Sequence, residues 1–177
     1  LLARGGVATV PRAKGVPSRE DVLALARAAE GLAREVYRRA VAARPFRGPW
    51  AAYLEAALAQ EEEHARRLRE ALGRQPALRF RLPEVFQSPI LLLRLLESLE
   101  EAFVGAYLGA LPLLEGEALR LAGAILGVEA GHRVLVRQAR LELQDPLLRP
   151  PFVANDRALE QALSPEGARE ALKPYLP

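Results

Sequence analysis

The sequence predicts an all-α protein, a four-helix bundle with one long crossover between its second and third helices. Three observations lead there. Ala, Leu, Arg and Glu dominate the 177 residues and β-branched residues are sparse, so the intrinsic bias is helical. Four long stretches carry apolar residues at spacings of three and four, the period of a helix with one buried face. The links between them alternate short, long, short, and the long one has no helical periodicity.

Ser18 opens the first helix, with Asp21 three residues on as its capping-box partner. Apolar spacing continues through Leu25, Leu32 and Val36 to Ala40, and Pro45 with the Arg47-Gly48-Pro49 turn stops it. Pro49 suits the first position of a second helix running from Trp50 to about Leu72, where Gly73 is a natural cap. Residues 73–88 (GRQPALRFRLPEVFQS) form the long link. Ser88-Pro89 begins a third helix that Pro112 breaks, and a fourth follows Glu115-Gly116 to end near Leu143. An extended link of this length spans ~50 Å, and a 24-residue helix is ~36 Å long. The link can therefore run the length of the bundle and set the third helix parallel to the second. Asp156 and Ser164-Pro165 mark the starts of two short helices in the tail, packed on the bundle or on a second subunit.

Composition removes several chemistries. Without Cys there is no disulfide, thiolate metal site, iron–sulfur cluster or thiol nucleophile. The net charge is only +3, with basic residues interleaved among acids along the helices, which reads as solvated faces and no nucleic-acid surface. No apolar run reaches the ~20 residues needed to span a bilayer. Two lysines, one asparagine and no methionine fit a thermophile, although a GC-rich genome imposes much the same choice. Residues 1–17 are basic and free of acids, either the end of an export signal or a flexible lead-in to a bundle spanning 18–177. Their composition favours the lead-in and a cytoplasmic location over export.

Each long helix carries a charged residue on its apolar stripe. The faces read Leu23, Ala26, Glu30, Ala33, Tyr37, Ala40; then Leu54, Ala57, Glu61, His64, Leu68, Ala71; then Leu93, Leu96, Glu100, Phe103, Tyr107, Ala110; then Ala122, Ile125, Glu129, His132, Val136, Ala139. Four carboxylates thus point at the bundle axis, where unpaired they would be costly and mutually repulsive. Divalent metals relieve all four together. Glu61-x-x-His64 and Glu129-x-x-His132 place each His beside its Glu on one helical face. One Glu from each of two helices, plus Glu-x-x-His from each of the other two, is the ligand set of di-iron and di-manganese carboxylate bundles. Both histidines of the chain fall in this spacing, a coincidence of about one in a hundred by composition alone. Glu30, Glu61, His64, Glu100, Glu129 and His132 are therefore expected to hold two metal ions, iron or manganese, reacting with O₂ or peroxide.

The two halves repeat: Glu30-x₆-Tyr37 and Glu61-x-x-His64 match Glu100-x₆-Tyr107 and Glu129-x-x-His132. Pseudo-twofold symmetry would give each metal one terminal Glu and one His with two Glu bridging, and by position Glu30 and Glu100 are the better terminal candidates, Glu61 and Glu129 the better bridges. Tyr37 and Tyr107 are read as core packing, with a hydrogen bond to a ligand or a redox-active phenol near the metals as the sharper alternative. Small residues at Ala26, Ala33, Ala57 and Gly105 are expected to leave space for a small oxidant.

AAEGLAREVY, QEEEHARRLR, SLEEAFVGAYLGALPLL, GVEAGHRVLVRQAR and the tail DRALEQALSPEGAREALKPYL resemble the ferritin-like superfamily, in particular bacterial ferritin-like domain proteins related to plant desiccation-related proteins. The resemblance covers about residues 18–177. It implies a ferritin-like fold and a di-metal site. The resemblance implies little about mechanism; the site leads to two expectations, a ferroxidase- or peroxidase/catalase-like oxidoreductase, or stress protection around a mainly structural metal pair. It also raises the chance of export. The absence of Cys and Met departs from rubredoxin-bearing and haem-binding relatives. The apolar tail makes a homodimer an expectation too.

Overall fold

The Ser18 hydroxyl accepts a hydrogen bond from the Asp21 N–H at 3.0 Å, and the Asp21 carboxylate accepts one from the Ser18 N–H at 2.8 Å. This reciprocal cap starts α1, Arg19–Ala43. The computed structural model describes residues 17–73 and 76–176, so the lead-in expected over 1–17 lies, apart from Pro17, outside the described residues. The remaining helices are α2 (Pro49–Leu72), α3 (Pro89–Ala110), α4 (Gly116–Glu142) and the short α5 (Pro165–Leu172). Gly48 and Gly73 flank α2 with φ of 59° and 73°, a region where a side chain would be strained. The Ser88 hydroxyl caps α3, and the helix tightens at Pro112 into a 3₁₀ turn, Leu111–Leu113. No strand occurs among the described residues, and no helix is long and apolar enough to cross a membrane.

The helices pair as two hairpins, α1 with α2 and α3 with α4. Contacts between hairpins set their sense. Tyr37 reaches Glu100 while Tyr107 reaches Glu30, so α1 and α3 run antiparallel. His64 meets Glu129 while Gln60 meets His132, so α2 and α4 do too. With α1 antiparallel to α2, the third helix is parallel to the second, as the crossover predicts. The described part of the link follows α1 from Arg27 to Arg39. Arg27 binds the Pro76 carbonyl, Phe80 packs where a Cβ on Gly31 would lie 3.2 Å from its ring, and Arg39 stacks over Phe86. Phe80, Leu82, Val85 and Phe86 face inward, giving this extended segment its own share of the core.

The predicted stripes are buried almost throughout, with Ala71 at the end of α2 the exposed exception. Their charged residues divide the apolar core. One cluster gathers around Leu32, Val36, Leu92, Leu96 and Phe103, the other around Leu23, Leu68, Ala122 and Ile125.

The tail departs from its expected form in two ways. No helix starts at Asp156, because its carboxylate binds Arg137 Nη2 at 2.6 Å and does not cap a turn. Residues 152–163 run without regular structure to α5, which packs on α1 and α3. Gly105 opens no space near the site. It receives the tail, since Leu163 N–H donates to its carbonyl at 2.8 Å and a Cβ there would lie 2.8 Å from the Leu163 side chain. At Gly109 a Cβ would sit 1.8 Å from the Leu163 carbonyl oxygen. Gly109→Ala should therefore lower stability by about 1–3 kcal/mol, as overpacking does. It should also expose residues 152–163 to limited proteolysis, and an unchanged cleavage pattern with unchanged melting would refute this docking.

The basic residues are not all solvated, as their spread along the helices suggested. Arg133 is fully buried and Arg137 nearly so. Arg133 Nη2 donates to Glu160 at 2.7 Å, and Arg137 binds Glu97, Asp156 and the Ala154 carbonyl. They sit on the face of α4 that the tail covers, and tail carboxylates replace part of the water lost, Arg133 Nε and Nη1 making no hydrogen bond.

Candidate metal centre

The bundle brings the six Glu and His residues of the stripes to one level. Glu30, Glu61, Glu100 and Glu129 are fully buried, His132 is 3% exposed and His64 7%. Two overlapping groups form, each with ligand atoms within 4.8 Å of one another. One joins Glu30, Glu61, His64 and Glu129, and the other Glu61, Glu100, Glu129 and His132. Glu61 and Glu129 belong to both groups. Their place in mid-helix on α2 and α4 sets them between the two histidines, while Glu30 and Glu100 flank from α1 and α3.

Distances repeat the pseudo-symmetry. His64 Nδ1 lies 3.1 Å from Glu30, 3.0 Å from Glu129 and 3.5 Å from Glu61. His132 Nδ1 lies 3.1 Å from Glu61, 3.5 Å from Glu129 and 3.8 Å from Glu100. Each imidazole thus faces one flanking and both central carboxylates.

Most of these atoms have no proper partner. Both oxygens of Glu61 and of Glu129, Oε2 of Glu100 and Nδ1 of His132 are enclosed and make no hydrogen bond. Protein interiors rarely leave such groups orphaned, and a cluster of them calls for an ion. Four carboxylates with two neutral imidazoles are balanced in charge by two divalent cations, and three oxygens with one nitrogen suit iron or manganese. The residues therefore fit a di-metal carboxylate site.

Without metal the cluster must hold protons. Burial, with the Glu129 charge nearby, pushes Glu30 and Glu100 well above the usual carboxylate range. Burial also raises Glu129, but contacts with His132 and His64 outweigh it and bring the carboxyl down to about 2. Burial lowers both histidines, and the carboxylates around them more than reverse it. His64 rises to about 12, driven first by Glu129 and Glu30, and His132 to about 9, driven by Glu129 and Glu61. The two imidazolium rings then carry the positive charge that offsets the acids.

Tyr37 and Tyr107 do more than fill space. Tyr37 donates to Glu100 Oε1 at 2.6 Å and Tyr107 donates to Glu30 Oε1, each phenol reaching the flanking carboxylate of the opposite half. Burial first, then the facing carboxylate, holds both phenols well above their ordinary value, so they remain donors. Two further residues are not among those the sequence pattern singled out. Tyr53 hydrogen-bonds Tyr37 at 2.9 Å, and Gln60 Oε1 lies 2.7 Å from His132 Nε2. Gln60 sits at an exposed position off the apolar stripe, where helical periodicity carries no signal of a role. Tyr53 lies two turns before Glu61, a spacing that could have found it.

No curated protein and no solved structure matches the chain. Residues 18–142, which contain the four long helices and all six clustered residues, match the family model described as the ferritin-like domain, and the chain belongs to that family.

Proposed function

We propose that this chain is a non-haem di-metal carboxylate protein that reacts with O₂ or peroxide, as a ferroxidase- or peroxidase/catalase-like oxidoreductase. The observation that carries the reading is the pair of overlapping buried groups, each with one His, one flanking Glu and the two shared carboxylates. In this reading Glu61 and Glu129 would serve both ions, Glu30 and His64 would help to hold one, and Glu100 and His132 the other. Two iron or manganese ions bound there would supply the redox electrons.

The protein's own contribution is positional. Tyr37 and Tyr107 hold the flanking carboxylates by one oxygen each, and the second oxygen, which in Glu30 meets His64 and in Glu100 has no hydrogen bond, would face a metal ion. Burial of all four carboxylates excludes bulk water, so only a small reactant fits beside them. His64, at 7%, is the most exposed of the six.

The same burial favours a second reading, a stress-protective protein whose metal pair mainly staples the four helices. The likeness to desiccation-related proteins belongs with it. Turnover separates the two. Metal-free protein supplied with Fe(II) or Mn(II), then O₂ or peroxide, should consume many equivalents of oxidant per chain if it is an enzyme. Metal-dependent melting with at most one turnover supports the staple. Fewer than about one metal per chain after purification without chelator overturns both.

A further inference from the structure

The two halves repeat in their ligands but not in what surrounds them. In the alignment that superposes Glu61 on Glu129 and His64 on His132, Gln60 corresponds to Val128 and Tyr53 to Leu121. The consequence falls on one position alone. His132 Nε2 meets Gln60 Oε1 at 2.7 Å, and Glu100 takes a hydrogen bond from Tyr37, which in turn is bonded by Tyr53 at 2.9 Å. Since Tyr37 spends its single proton on Glu100, Tyr53 is the donor to Tyr37, and each bond strengthens the next. Tyr53 and Tyr37 also wall the His132 ring, at centroid distances of 6.1 and 5.7 Å. At the other position, Tyr107 bonds Glu30 with no further phenol behind it among the described residues. His64 Nε2 has no hydrogen bond among the described residues and is not one of the enclosed polar atoms.

We infer that the two metal positions are inequivalent: the Glu100–His132 position, preorganised by Gln60 and the Tyr53–Tyr37 pair, binds the first cation tightly, and the Glu30–His64 position holds the second as an exchangeable ion. This rests on the di-metal reading. Fixing the tautomer and rotation of a ligating His by its second nitrogen changes metal affinity by about 10- to 100-fold. Gln60 is exposed, so the effect here belongs at the lower end, about tenfold.

The test is titration of metal-free protein with Mn(II), reading the free ion by electron paramagnetic resonance. Repulsion between two cations separates the steps even at identical positions, so the variants decide. Gln60→Val, which copies the other half, should weaken the tighter step about tenfold and leave the weaker step unchanged. Val128→Gln should tighten the weaker step. His132→Gln should remove the tighter step and His64→Gln the weaker. Circular dichroism checks that each variant is folded. Equal weakening of both steps by Gln60→Val, no change in either, or loss of the tighter step in His64→Gln would overturn the inference while leaving two bound metals. Absence of any Mn(II) binding by the wild type would instead remove the di-metal reading itself.

Discussion

Glu61→Leu should make the metal-free protein more stable and the metal-loaded protein less stable than wild type. Glu61 is fully buried and neither oxygen makes a hydrogen bond; without metal its counter-charge is the His132 imidazolium 3.1 Å away, and with Leu in place that ring can shed its proton, so the buried pair is lost as a whole. Leu has a similar volume and belongs on a stripe that already holds Leu54, Ala57 and Leu68. Replacing buried ionic groups with apolar ones commonly gains about 1–4 kcal/mol, and a gain in that range is expected in chelator. Added Mn(II) should reverse the order, because Glu61 belongs to both ligand groups and its loss disables both. Glu30→Leu or Glu100→Leu should each remove one metal only. Melting curves with chelator and with Mn(II), beside metal counts per chain, check this. A Glu61→Leu variant that is less stable than wild type in both conditions would show that the carboxylate is satisfied by the protein alone.

Metal-free and metal-loaded protein should respond to pH in opposite directions between about pH 5 and 9. Glu30, Glu100, His64 and His132 all titrate higher in the folded protein than in the unfolded chain. Groups with raised values stabilise fully below their unfolded pKa, and that contribution is lost as pH rises through the folded one. For His132, moving from 6.5 to about 9, the loss is on the order of 3 kcal/mol. Glu129, lowered to about 2, acts the other way, but only below its ordinary value of 4.5, so it does not affect this window. Stability in chelator should therefore fall from pH 5 to pH 9. Bound divalent metals need deprotonated Glu and neutral His, so the stabilisation by Mn(II) should grow over the same range. At a metal concentration 1,000-fold above Kd it reaches about 4 kcal/mol. Melting temperatures across the window, with and without metal, test both slopes, and a gap that narrows as pH rises would contradict the ligand assignment.

Much of this site is legible in the chain's own spacing. A helix turns 100° per residue, so an acid at the right spacing inside an apolar stripe must face the axis whatever the neighbours are. That reasoning places Glu30, Glu61, Glu100 and Glu129 in the core, and the i, i+3 rule adds His64 and His132. It also carries the helix boundaries, because the Ser18 and Ser88 caps, Pro49 and Gly73 act within a few residues of themselves.

Periodicity and capping, which any stretch of the chain carries within itself, are enough to specify four helices, one long link and six ionisable residues aimed inward. How those parts meet is settled only by packing. Tyr37 reaches Glu100 and Tyr107 reaches Glu30 because the hairpins pack antiparallel, which no single helix encodes. Arg133 and Arg137 are buried because the tail supplies Glu160 and Asp156 from well beyond the end of α4. Gln60 matters because α4 brings His132 to it across the bundle. Each of these depends on the distance between chain segments after folding. Spacing within a helix reports the face a residue occupies; the neighbour it finds there is set by the other helices.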